Sequence, residues 1–127
     1  MRLLAFLGVV VLAGCSGIDP GKTYPTETFV APITYQEAYR RAQNHARTCL
    51  SVYEVSGDLF TDNRTGIVRV QIPKFTYTGN ESMQFKVAQE SDQSTKVEIV
   101  VDGVGVFDQR QLVAARKTIE TGNPACR

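Results

Sequence analysis

Between residues 66 and 102 apolar side chains recur at every second position. Val68, Val70 and Ile72 alternate with Arg69 and Gln71, Met83, Phe85 and Val87 with Gln84 and Lys86, and Val97, Ile99 and Val101 with Lys96, Glu98 and Asp102. Successive side chains of an extended backbone point to opposite sides, so each stretch reads as a strand with one dry face and one wet face. A further strand is expected over Val52–Phe60. It is joined to Gly66–Ile72 by the turn-rich Thr61-Asp62-Asn63-Arg64-Thr65, which suits a hairpin. Pro73 ends that second strand, and Phe75 and Tyr77 follow among threonines as an irregular extension before Gly79-Asn80. Thr28-Phe29-Val30-Ala31, stopped by Pro32, is a short candidate edge strand.

One-sided strands need a cover, and two amphipathic helices supply it. From Thr34 to about Leu50, Tyr35, Ala38, Tyr39, Ala42, Ala46, Cys49 and Leu50 fall on one helical stripe. Gln36, Glu37, Arg40, Gln43, Asn44 and Arg47 face the other way, and Thr34 with Glu37 matches a capping box. The second helix starts at Asp108, a good N-cap, with Gln111 at the third helical position and Phe107 and Leu112 placed as a hydrophobic staple. Gly122 is its natural terminator and Pro124 blocks continuation. The order is (β)-α-β-β-β-β-α. It predicts an α+β, two-layer sandwich: an antiparallel sheet of about four strands with both helices on one face, in a single domain over 28–127. In element order this resembles the helix-grip or TATA-binding-protein-like domains of some outer-membrane lipoproteins, a likeness that implies a fold and little about function.

The N-terminus carries a different signal. Arg2 precedes an apolar run from Leu3 to Leu12, which leads through the small Ala13 and Gly14 to Cys15. These are the parts of an export signal, and the run is too short to span a bilayer, which takes roughly 20 apolar residues. Leu12-Ala13-Gly14-Cys15 resembles the lipobox of bacterial lipoproteins; the alternatives are an ordinary export signal with a chance cysteine, or a short buried helix. The resemblance implies a signal peptide over 1–14, cleavage after Gly14, and lipid on Cys15. Three acyl chains at about 0.8 kcal/mol per buried CH₂ make a stable anchor. The residue after Cys15 is Ser16, not the Asp that resembles an inner-membrane retention signal, which implies the periplasmic face of the outer membrane. Residues 15–27, with Gly17, Pro20, Gly21 and Pro25, read as a lipidated flexible tether. In that compartment Cys49 and Cys126 are left as a pair, and a disulfide is the default; two buried thiols are the alternative.

Without residues 1–14 the chain has 113 residues, with 13 basic and 13 acidic side chains, and it contains no Trp. A neutral chain without a basic run offers nucleic acid no electrostatic footprint. His45 is the only histidine and stands four residues before Cys49. A Cys–His nucleophile is disfavoured because Cys49 faces the core with a partner cysteine, and His45 is expected as a half-exposed residue at the stripe's edge. One His and two separated Cys cannot build a zinc site, so no metal or cofactor is expected. In Gly103-Val104-Gly105 the third glycine of a phosphate loop is missing, and Asp108 would repel an anion at the helix start. Arg40, Arg41 and Arg47 form a modest basic cluster that most simply reads as a solvated helix face. The wet sheet face, with Arg69, Gln71 and Lys86 and with Phe75 and Tyr77 beyond the proline, is the candidate binding surface. The expectation is a non-enzymatic, lipid-anchored envelope module that binds another envelope protein. The alternative is a small-ligand or envelope-polymer binder with Tyr35 and Tyr39 lining a pocket.

Overall fold

The computed structural model describes residues 18, 22–73 and 81–127. The expected signal peptide, Cys15, Phe75 and Tyr77 lie outside the described residues. In chain order the elements are β1 (Thr26–Ala31), α1 (Tyr35–Cys49), β2 (Glu54–Phe60), β3 (Thr65–Gln71), β4 (Glu81–Ser91), β5 (Ser94–Val101) and α2 (Gln109–Thr121). The strands form one antiparallel sheet in the order β1-β5-β4-β3-β2. The sheet therefore has five strands where about four were expected. The candidate edge strand is a full member, paired with β5 from Thr26↔Val100 to Ala31↔Thr95. Thr26 and Glu27, expected in the tether, belong to it, and the Pro25 carbonyl already accepts from Val101 N–H. Glu27 concealed the strand because it breaks the apolar phase at a position that the sheet turns toward α2, where Arg116 pairs with it.

Pairing sets the dry residues in rows. Phe29, Val97, Val87 and Gly66 stand opposite one another, as do Ile99, Phe85 and Val68, and then Val101, Met83 and Val70. All of these are buried, and both helices pack over them, α1 across β2 to β5 and α2 across β1 and β5. Ala38, Ala42 and Ala46 of α1 have no exposed surface, so small side chains bring its backbone close to the strands. Tyr39 needs further room, and two strand glycines provide it. A Cβ on Gly57 would lie 2.5 Å from the Tyr39 hydroxyl, and one on Gly66 would lie 2.9 Å from its ring. Glycine inside a strand often marks such an approach.

The helix ends form much as expected, with some partners exchanged. Thr34 Oγ1 accepts from Glu37 N–H at 3.3 Å, which is one half of the capping box. The Glu37 carboxylate binds Arg40 at 2.5 Å and Arg41 at 2.8 Å, and the bond to Arg40 above all brings its pKa down to about 2. Arg41 in turn donates to the Ile119 carbonyl at 2.7 Å, satisfying a main-chain acceptor at the end of α2. Gly122 terminates α2 in the left-handed region at φ 79°, and a Cβ there would also press on Arg41 at 3.1 Å. Asp108 caps the start of α2 by accepting from Gln111 N–H at 3.1 Å.

After Gly122 the chain doubles back along α2. Ala125 N–H donates to Thr118 Oγ1 at 2.8 Å, Cys126 is bonded to Cys49, and Arg127 forks onto the Asp108 carboxylate at 2.6 Å. The bridge thus joins the end of α1 to a returning tail beside the start of α2. The Arg127 hydrogen bond holds the Asp108 carboxyl at about 2, from an ordinary value near 3.8. Arg127→Ala is expected to return that pKa toward the ordinary range in a carboxyl-carbon NMR titration. An unmoved Asp108 would assign the effect to the helix N-terminus instead.

Candidate interaction surface

The helices cover one face of the sheet, and the described residues leave the other uncovered. Strand pairing sets its central row as Thr28, Glu98, Lys86, Ile67 and Asp58. On one side runs Val100, Gln84, Arg69 and Ser56, and on the other Lys96, Ala88, Thr65 and Phe60. Arg69, Gln71 and Lys86, selected from the alternation, all stand on this face. Phe75 and Tyr77, which were to accompany them, lie outside the described residues.

The centre of the face is a shallow groove of about 390 Å³. Phe60, Ile67, Arg69, Lys86, Lys96 and Glu98 line it. Its floor is apolar because Ile67 and Ala88 occupy the wet phase of their strands, and Phe60, 47 % exposed, forms one wall. Arg69 is held between two carboxylates, Asp58 at 3.1 Å and Glu81 at 3.8 Å. Glu81 is half-buried, and burial raises its pKa against the opposing effects of Gln84, Arg69 and Lys86. Lys86 stands directly opposite Glu98 across the β4–β5 pairing, and Lys96 stands two residues before Glu98 on β5 itself. The arrangement is an apolar strip flanked by charges of both signs, without a reactive pair aimed at a common point.

Phe60, Ile67 and Ala88 were not selected from the sequence. The available signal was phase: Ile67 has the parity of Arg69 and Gln71, so an apolar residue there must sit on the face left wet. Two arginines of the basic cluster on α1 have partners of their own, since Glu37 holds Arg40 and Arg41 and Arg41 reaches α2. Gly103 and Gly105, at φ 83° and 59°, shape the turn from β5 into α2.

His45 is not the half-exposed residue expected. It has no exposed surface and bridges the helices, with Nδ1 2.8 Å from Thr118 Oγ1 and Nε2 3.0 Å from Gln111 Oε1. The Gln111 amide nitrogen donates to the Val106 carbonyl, which turns its oxygen to the histidine and makes His45 Nε2–H the donor. Cys49 is in the disulfide, so the Cys–His couple has no thiolate to offer. Among the described residues no three metal-ligating side chains converge. Tyr35 is buried in the core and Tyr39 packs over the strand glycines, so neither lines the pocket proposed for them. Compared with known proteins, the chain matches no family model and no curated relative.

Proposed function

We propose that this chain is a lipid-anchored, non-enzymatic module of the cell envelope. It is held on the periplasmic face of the outer membrane through Cys15 and binds another envelope protein with the uncovered face of its sheet. One observation carries the reading: the groove sets Ile67 and Phe60 among Arg69, Lys86, Lys96 and Glu98. Protein interfaces combine an apolar and aromatic centre with a polar, charged rim, and charges of both signs set orientation. The Cys49–Cys126 bridge suits an oxidising compartment, in keeping with export.

The groove's volume also supports the second reading, a small-ligand or envelope-polymer binder, because ligand sites span about 300–1,000 Å³. Its openness toward solvent favours a protein, which can cover it. The test is recovery of partners from detergent-solubilised envelopes with the full chain, its Ile67→Asp variant and its Lys86→Glu variant. Ile67 is only half-buried and Lys86 is exposed, so both variants should keep the fold. A defined protein recovered with the parent chain and lost with both variants is expected. Equal recovery with all three would remove this face from the interaction.

A further inference from the structure

A second surface lies at one end of the strands. Val52, 76 % exposed, stands in the α1–β2 loop, and Val104 and Val106, 68 % and 36 % exposed, stand in the β5–α2 loop. Tyr53 joins them: with Val52 and Val106 it lines one hollow, and with Val104, Val106 and Ile72 it lines the next. The valines are held out by a well-fastened loop. Gly103 N–H donates to the Phe107 carbonyl, Phe107 N–H to the Val104 carbonyl, and Val104 N–H to Asp102 Oδ1 at 2.8 Å. Phe107 anchors the loop, buried edge-to-face against Tyr53 with ring centroids 4.9 Å apart. The same loop that buries Phe107 leaves two valines in water.

The course of the chain indicates what covers them. Pro25 bonds to Val101 and its ring lies 3.9 Å from where a Gly103 Cβ would be, so the chain enters the domain beside the valine loop. Pro25 stands only ten positions after Cys15. A coil of ten residues averages under about 20 Å end to end. The 15-residue α1 alone is about 22 Å long, so this average span keeps the anchor nearest the end of the domain at which the chain enters. We infer that Val52, Val104 and Val106 form a membrane-contacting tip that dips into the lipid surface beside the anchor. This inference rests on the lipid-anchored reading proposed above. It also sets the strands upright on the membrane, so that the groove faces sideways, open to a neighbouring envelope protein.

The absence of Trp allows a direct test. Val104→Trp and Asp92→Trp, the latter in the exposed β4–β5 turn at the far end, each place a single tryptophan, excited apart from the tyrosines, in the full chain. Each protein is reconstituted into phosphatidylethanolamine–phosphatidylglycerol vesicles with and without brominated acyl chains, and lipid on Cys15 is verified by intact mass. In lipidated protein, the tryptophan at 104 should shift to the blue and lose most of its emission to bromine, while the one at 92 stays water-like. Lipidated protein with equal, unquenched emission at both positions would overturn the membrane tip and leave the anchor standing. Protein without lipid on Cys15 would overturn both.

Discussion

Replacing Cys49 and Cys126 together by serine is expected to remove about 4 kcal/mol of stability from the oxidised protein. The bridge joins residues 77 apart, and closing a loop of that length in the unfolded chain corresponds to about 4.5 kcal/mol in the chain-entropy model. A domain of this size has only about 5–15 kcal/mol in all. The loss extends beyond the unfolded state, because the bridge fastens the tail whose Ala125 N–H meets Thr118 and whose Arg127 holds the cap of α2. Urea unfolding of parent and double variant, each with and without reductant, measures the effect. The reduced parent should unfold at the midpoint of the double-serine variant, and that variant should ignore reductant. A double variant within about 1 kcal/mol of the oxidised parent would show that the tail's hydrogen bonds hold it unaided.

The cysteine pairing was legible because both residues were placed by local signals, Cys49 by the helical stripe and Cys126 by a helix that must stop at Gly122. The doubling back of the tail was not, since its determinants are a threonine hydroxyl and an aspartate that also serve other turns of α2. Strands β3, β4 and β5 were legible for the same reason as α1, an unbroken period. In β1 the period is interrupted by Glu27, whose partner Arg116 is 89 residues away and which therefore leaves no local trace. Arg116 also stacks over Phe29 at 4.7 Å, so this one side chain secures the edge strand to α2.

The candidate surface divides along the same line. Arg69, Gln71 and Lys86 followed from alternation alone, because polar residues in phase can only lie on the wet face. Ile67 and Phe60 are apolar residues in that same phase, and only the register brings them together with Lys86 and Lys96. Tyr39 illustrates the converse. The alternative reading gave its ring to a ligand pocket, whereas Gly57 and Gly66, diagonal to each other across the β2–β3 hairpin with Gly57 opposite Val68 and Gly66 opposite Leu59, form the seat that receives it. Glycines diagonal to each other on one face of paired strands, facing a helix with an aromatic residue, are a recoverable signal for such a seat.

Removing the buried histidine should have the second large effect. His45→Ala is expected to cost about 3 kcal/mol, combining a cavity between α1 and α2 with a Gln111 oxygen left unpaired. The pH dependence identifies the cause. Burial lowers the His45 pKa from its ordinary 6.5, outweighing the Gln111 bond that favours the charged ring. The folded protein thus keeps the ring neutral at a pH where the unfolded chain already binds a proton. Its contribution is complete above about pH 6.5 and is lost as pH falls from there through the lower folded pKa. Glu81, with its pKa raised, runs the other way, stabilising at low pH and losing that contribution as pH rises through its folded pKa. The informative quantity is therefore the difference between parent and variant, which cancels Glu81. Urea midpoints between about pH 5 and 8 should show a parent whose advantage over His45→Ala shrinks toward the acid side. A constant difference across that range would mean that His45 contributes only by packing and keeps its ordinary pKa in the fold.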